Sequence, residues 1–85
     1  MLSLLLVLAA QDVTDRAPGV CAAGPAEVLV GERYRRGVPT RAKRLSGARL
    51  VRVVLPGELV TMDFREDRAT VRVGTDNRIT QVSCS

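Results

Sequence analysis

Few side chains in this 85-residue chain could take part in chemistry, and no histidine is present. Without an imidazole the chain cannot form a serine-type catalytic triad or a histidine-based metal site. Its serines, threonines and carboxylates suggest no nucleophile paired with a general base. We therefore expect a protein that is not an enzyme and that has no cofactor and no bound metal.

The two cysteines, Cys21 and Cys84, are the remaining reactive pair, and they are too far apart in sequence to form a structural zinc site. In an oxidising compartment they allow one pairing, which would close a loop of about 64 residues and stabilise the fold by roughly 4 kcal/mol on the chain-entropy model. Two reduced, buried thiols in a cytosolic protein are the alternative. Export and the placement of both cysteines near the ends of the domain favour the disulfide.

The first ten residues are typical of a secretory signal, because an apolar run ends in Ala9 and Ala10 and no charge appears before Asp12. The run is too short to span a bilayer. No Lys or Arg precedes it, and a buried N-terminal helix is the alternative. We predict a signal peptide at 1–10, a flexible lead-in at 11–20 and one domain at 21–85. The mature protein is then secreted or periplasmic, without membrane contact.

The formal net charge of +4 raises nucleic acid or an anionic surface as a partner. Tyr34 and Phe64 are the chain's aromatic residues, so no platform exists for stacking single-stranded bases. The basic residues are also spread along the chain rather than gathered in one stripe. A solvated basic surface is the favoured interpretation, and we expect no nucleic-acid partner.

Two helical segments are expected in the first half of the domain. Pro25 can open a short one at 26–30, which Gly31 ends. A second and better-founded helix begins near Val38, where apolar residues recur at helical spacing and basic residues occupy the other face. Ser46 and Gly47 supply its C-terminal stop.

From residue 50 the hydrophobic period changes to that of strands. Residues 50–55 are β-branched and nearly all apolar, which is typical of a central strand packed on both faces. Alternation predicts a second strand at 70–73, and a turn at 74–77 leads to a third strand at 78–84, antiparallel to the second. The expected fold is α+β, with one main helix packed on a small three-stranded mixed sheet.

The segment 58–67, called the exposed loop from here on, joins the first two strands. It is too long for a tight hairpin, and connections of this length without regular structure are usually functional or disordered. Its apolar centre includes Leu59, Val60 and Met62, whereas disorder favours Gly, Ser and Pro. We therefore expect an ordered, solvent-exposed loop.

The residues of this loop carry a resemblance to known families. Val60-Thr61-Met62-Asp63-Phe64-Arg65, followed by Arg68 and a strand, resembles the reactive-site loop of the potato inhibitor I family, to which eglin belongs. The wider pattern adds Pro56-Gly57, Asp67-Arg68, Arg78-Ile79-Thr80 and the penultimate Cys84. From about Cys21 to Cys84 the chain is similar to a second peptidase-inhibitor family, typified by a small fungal elastase inhibitor and with many bacterial members.

The resemblance implies a substrate-like inhibitor of serine proteases, here a monomer. The reactive bond falls between Met62 and Asp63, and the loop contacts to the protease are Val60, Thr61, Phe64 and Arg65. A methionine suits the apolar pocket of subtilisin-, elastase- or chymotrypsin-like enzymes and not the acidic pocket of trypsin. The alternative functions are a secreted binding module that has lost inhibition and a basic nucleic-acid or anionic-surface binder.

The resemblance also implies that arginines of the following strand brace the loop. Arg68 falls on the first bracing position, and its pair with the Asp63 carboxylate would be charge-assisted. Thr70 stands where the potato family has its second arginine, and Arg72 is a candidate to substitute for it. The simpler alternatives are that Met62 and Phe64 belong to the core and that Arg72 is solvated.

Overall fold

The computed structural model describes residues 19–85, so the predicted signal peptide at 1–10 and residues 11–18 of the lead-in lie outside the described residues. A short 3₁₀ helix, Gly24–Leu29, comes first, with Pro25 in its first turn. Helix α1, Val38–Ser46, follows. Three strands complete the described chain: β1, Leu50–Val54; β2, Arg68–Val73; and β3, Ile79–Cys84. No helix in this part of the chain is long and apolar enough to cross a membrane.

Helix α1 begins and ends where the sequence predicts. Pro39 lies in its first turn, where the missing N–H costs nothing. Gly47 ends the helix in the left-handed conformation, φ 74°, and donates its N–H to the carbonyl of Lys43. Val38 and Ala42 are buried on one face. The positively charged last turn complements the negative end of the helix dipole.

The sheet has the order β1-β2-β3, in which β2 is parallel to β1 and antiparallel to β3. The predicted α+β fold with a mixed three-stranded sheet is therefore confirmed. The prediction that the first strand is central was wrong, because β1 is an edge strand and β2 lies in the middle. Val51 and Val53 account for its apolar sequence by packing against the core, while Arg52 between them takes the opposite face.

The hydrophobic core lies between one face of the sheet and the two helical segments. Leu29 and Ile79 are among its largest fully buried side chains. The members of this cluster are Ala26, Leu29, Val38, Ala42, Val71, Val73, Ile79 and Val82. Burial of apolar surface is the main stabilising term for a domain of this size. The other face of the sheet is left for the exposed loop.

A disulfide joins Cys21 to Cys84 across 63 residues, with 5.7 Å between the two Cα atoms, and the predicted pairing is confirmed. Cys21 also donates its backbone N–H to the carbonyl of Glu66 at 2.8 Å. The first residue of the domain is therefore attached both to the end of the last strand and to the end of the exposed loop.

Candidate functional site

The exposed loop is entered through a tight turn at residues 55–58. Glu58 donates its N–H to the carbonyl of Leu55 at 3.1 Å, and the Glu58 carboxylate accepts the N–H of Leu55 at 2.9 Å. Pro56 supplies the fixed φ of the second position. Gly57, at φ 84°, supplies the positive φ that a type II turn needs at its third position. The Pro-Gly pair thus ends β1 and fixes the direction in which the loop leaves.

Three apolar side chains of the loop point into solvent: Leu59 is 99% exposed, Met62 96% and Phe64 69%. Neither Met62 nor Phe64 is part of the core. Exposed apolar side chains that cluster on one segment usually mark a site of interaction with another protein. They are the three most exposed large apolar side chains among the described residues.

Asp63, the residue after Met62, is held by Arg68 at the start of β2. Nη2 of Arg68 donates to the backbone carbonyl of Asp63 at 3.1 Å and to its carboxylate at 3.3 Å. The side chain of Arg68 is mostly buried, and that of Asp63 is about half-exposed. Because both the main chain and the side chain of Asp63 are engaged, its orientation is fixed as well as its position. The predicted pairing of these two residues is present in the structure.

Thr61 adds a hydrogen bond from the other side of Met62. Its hydroxyl donates to the carboxylate of Asp63, so the two residues that flank Met62 are joined side chain to side chain. This hydrogen bond, together with the nearby guanidinium of Arg68, holds the pKa of Asp63 below its usual range against a smaller opposing effect of desolvation. Asp63 is therefore ionised at neutral pH, as the two contacts require.

Arg52 of β1 is a second arginine at the loop, and its role was not predicted from the sequence. Its Nη1 donates to the hydroxyl oxygen of Thr61 at 3.3 Å and lies 3.8 Å from Oδ1 of Asp63. β1 was expected to be buried on both faces, whereas the face that carries Arg52 is turned toward the loop. A single arginine within an apolar strand could have indicated this role, because a half-buried charge needs a partner nearby.

Thr70 and Arg72, the other predicted bracing residues, lie on the same face of β2 as Arg68. Thr70 is buried, and its hydroxyl accepts a hydrogen bond from the hydroxyl of Ser85 at 3.3 Å rather than contacting the loop. Arg72 is exposed and lines a groove beside Met62 and Phe64. Among residues 19–85, no hydrogen bond or ion pair joins the Arg72 side chain to the loop.

The far end of the exposed loop is closed by a second ion pair. Arg65 makes a bidentate contact with Asp67, with both N···O distances at 3.0 Å. The guanidinium of Arg65 holds the pKa of Asp67 below its usual range. The backbone carbonyl of Asp67 accepts the N–H groups of Arg49 and Leu50 at 2.9 and 3.1 Å. Hydrogen bonds therefore hold both ends of the loop, and its apolar centre lies between them.

The arrangement is suited to binding rather than to bond-making catalysis. Within residues 19–85, no group of cysteine, aspartate and glutamate side chains could hold a metal ion. The contacts instead immobilise the peptide on both sides of an exposed apolar side chain. An immobilised extended segment loses little entropy when another protein binds it.

The chain belongs to the peptidase inhibitor I78 family, whose model matches residues 21–85. The protein is therefore a peptidase inhibitor, and the prediction that it is not an enzyme is confirmed. Its fold is similar to that of the elastase inhibitor AFUEI in a crystal structure, with a TM-score of 0.61 and 25% sequence identity, over 81% of this chain and 100% of that chain. No curated protein matches the chain significantly.

These comparisons confirm the predicted resemblance to an elastase-inhibitor family. The likeness of the loop to the potato inhibitor I family stays a prediction, as does the position of the reactive bond.

Proposed function

We propose that the protein is a secreted, monomeric serine-protease inhibitor that binds its target as a substrate would, with the reactive bond between Met62 and Asp63. The observation that carries the proposal is the contrast between these two neighbours. Met62 is almost fully exposed, whereas the main chain and side chain of Asp63 are both held by Arg68. A substrate-like inhibitor needs this combination of an accessible anchor and an immobile backbone.

In the proposed complex, the exposed loop pairs with the protease as an added strand, and Met62 enters the main specificity pocket. An unbranched, flexible apolar side chain fits the pockets of subtilisin-, elastase- or chymotrypsin-like enzymes. The name of the structural relative, an elastase inhibitor, supports a target of this class. Val60, Thr61, Phe64 and Arg65 make the adjoining contacts.

Resistance to turnover follows from the contacts around Asp63. If the protease cleaves the bond, the Asp63 end stays attached to Arg68, and the hydrogen bond between Thr61 and Asp63 joins the two sides of the cut. The new ends therefore remain close together, and resealing competes with release. The low entropy cost of docking a loop that is already ordered gives tight binding.

An inhibition panel tests the proposal. The oxidised mature protein should inhibit subtilisin, elastase or chymotrypsin much more strongly than trypsin. Met62→Leu should keep inhibition within about tenfold, because a volume-conserving apolar exchange is well tolerated. Met62→Asp should weaken it by about a hundredfold or more, since a charge cannot be desolvated in an apolar pocket.

Val28→Asp is the matched control. Val28 is 63% exposed on the 3₁₀ helix, outside the loop, and the same change there should leave inhibition unaltered. Equal inhibition by the Met62→Asp and Val28→Asp variants would contradict the assignment of Met62. Failure of the wild-type protein against all four enzymes would instead favour a binding module without inhibitory activity.

A further inference from the structure

Two arginines reach the exposed loop from two different strands. β1 and β2 are parallel, with Leu50 opposite Arg68 and Arg52 opposite Thr70. Residues two apart on a strand share a face, so Arg52 and Arg68 emerge on the same side of the sheet, one from each strand. The loop crosses over this face.

The two side chains contact opposite sides of the Met62–Asp63 bond. Arg52 donates to the hydroxyl of Thr61, which precedes the bond, at 3.3 Å. Arg68 donates to the carbonyl and the carboxylate of Asp63, which follows the bond. Arg52 also lies 3.8 Å from the Asp63 carboxylate, which is within ion-pair distance but too long for a hydrogen bond, so its hydrogen bond to the loop is the one to Thr61.

One backbone oxygen connects the two guanidinium groups. The carbonyl of Ser85 accepts a hydrogen bond from Nε of Arg68 at 3.0 Å and from Nη2 of Arg52 at 3.3 Å. Ser85 is itself fixed, because its N–H donates to the carbonyl of Arg68 at 3.0 Å and its neighbour Cys84 is in the disulfide. The spacing between the two arginine side chains is therefore set by the body of the protein and not by the loop.

Arg52 occupies its place at a cost to stability. Its Nε is buried and has no hydrogen-bond partner among the described residues. A buried donor without a partner is destabilising, so an apolar residue at this position of β1 would suit folding better. A residue that is unfavourable for folding and in contact with the functional loop is better explained by the function of that loop.

We propose that Arg52 is a positioning residue that retains the Thr61 side of the reactive bond, while Arg68 retains the Asp63 side. The inference rests on the proposed function. Cleavage adds one water across the bond and yields a carboxylate on Met62 and an α-amino group on Asp63, and resealing expels that water. After cleavage, Arg52 still holds the end that carries Thr61, and Arg68 still holds the end that begins with Asp63. Arg52 of β1 is thus the second brace, a role that Thr70 of β2 does not fill.

The experiment compares Arg52→Ala, Arg68→Ala and the double variant during incubation with a subtilisin-type protease. Cleavage after Met62 is followed by mass spectrometry. Each single variant should be cleaved about tenfold faster than wild type, the effect expected for losing a charge-assisted hydrogen bond. Resealing needs both ends, so the double variant should be little faster than the single variants rather than showing the product of their effects.

Two further variants serve as controls. Arg72→Ala removes an arginine that lines the same groove without a hydrogen bond or ion pair to the loop, and it should behave as wild type. Arg52→Lys keeps the charge but lacks the planar fork that contacts Thr61 and Ser85 together, so it should not restore wild-type resistance. Cleavage of Arg52→Ala at the rate of Arg72→Ala would overturn the inference and leave Arg68 as the only brace.

A readout without protease separates this inference from the proposed function. Backbone N–H order parameters from NMR relaxation should fall around Thr61 in Arg52→Ala and around Asp63 in Arg68→Ala. An unchanged order parameter at Thr61 in Arg52→Ala would overturn the inference even if the protein inhibits. If the wild-type protein inhibits no protease, the proposed function fails, and the relaxation measurement still decides whether Arg52 holds the Thr61 side.

Discussion

At the scale of single residues, Asp63 is the point where the loop contacts meet. Its carboxylate accepts from the hydroxyl of Thr61 and from Arg68, and Arg52 lies nearby. Each of these contacts is partly solvent-exposed, and an isolated exposed ion pair contributes little to stability. Their effect comes from acting together on one short segment, where they select a single loop conformation.

The pH dependence of this network follows from the lowered pKa of Asp63. A carboxyl group whose pKa is lower in the folded protein stabilises the fold above its unfolded pKa, about 3.9, and loses that contribution as pH falls through the folded value. We expect the loop contacts to be intact at neutral pH and to weaken well below pH 4. A carboxyl NMR titration should give a pKa below about 3.9 for Asp63.

Thr61→Val should raise the pKa of Asp63, because it removes the largest stabilising contact of the ionised form. Asp67 is the internal control, since its pKa is lowered by Arg65, and it should not respond to the change at Thr61. An Asp63 pKa that is the same in Thr61→Val and in wild type would show that the hydroxyl contact does not persist in solution.

The sequence predicted most residues of the candidate site but not their full set of partners. Met62, Asp63 and Arg68 were predicted because their order along the chain carries a family resemblance. Arg52 was not predicted because its contact with Thr61 depends on how β1 and β2 pair, and strand pairing cannot be read from a local sequence pattern. Thr70 was expected near the loop, yet its hydroxyl bonds to Ser85, a residue without any signal in the sequence.

At the scale of elements, local signals were enough for helix α1 and for the two later strands. Proline near the start, glycine after the end and apolar residues at helical spacing all agree over Val38–Ser46. For β1, local signals predicted a strand but gave the wrong position in the sheet. A run of apolar residues is expected both for a central strand and for an edge strand covered by a helix and a loop, so composition could not distinguish them.

The 3₁₀ helix offers a test of packing at this scale. Leu29 is fully buried beneath α1 and the sheet, whereas its neighbour Val28 is mostly exposed. We expect Leu29→Ala to lower the free energy of unfolding by about 2–5 kcal/mol through lost burial and a residual cavity. Val28→Ala should change it by no more than about 0.5 kcal/mol.

Urea denaturation of both variants provides the measurement for this packing test. The transition midpoint of Leu29→Ala should fall clearly below that of wild type, while Val28→Ala unfolds together with wild type. Equal midpoints for the two variants would mean that the 3₁₀ helix does not pack on the core in solution.

At the scale of the whole molecule, the disulfide connects folding to the loop. The backbone N–H of Cys21 donates a hydrogen bond to the carbonyl of Glu66. Cys84 precedes Ser85, whose backbone oxygen accepts hydrogen bonds from Arg52 and Arg68. A domain of this size has a small core, so a cross-link between its ends supplies a large share of its stability. The same cross-link keeps Cys21 and Ser85, the residue that follows β3, beside the exposed loop.

Replacing both cysteines with serine should lower the free energy of unfolding by about 2–5 kcal/mol. The change should also speed cleavage of the loop, because the attachments at Glu66 and Ser85 loosen. Denaturant unfolding and the mass-spectrometric cleavage assay measure the two effects. A reducing agent should reproduce both in wild type and change nothing in the serine variant. Stability that falls while the cleavage rate stays constant would show that the disulfide does not support the loop.

The parallel pairing of β1 and β2 also sets the path that the chain must take between them. The chain leaves β1 at Val54, level with Arg72, and enters β2 at Arg68, level with Leu50. It must therefore travel back along four residue steps, about 13 Å. Residues 55–67 make this return, and an extended chain of that length could span about three times the distance. The course of the loop is therefore set by its contacts with Arg52 and Arg68 and not by its length, so side chains at the exposed positions can be exchanged while the loop keeps its course.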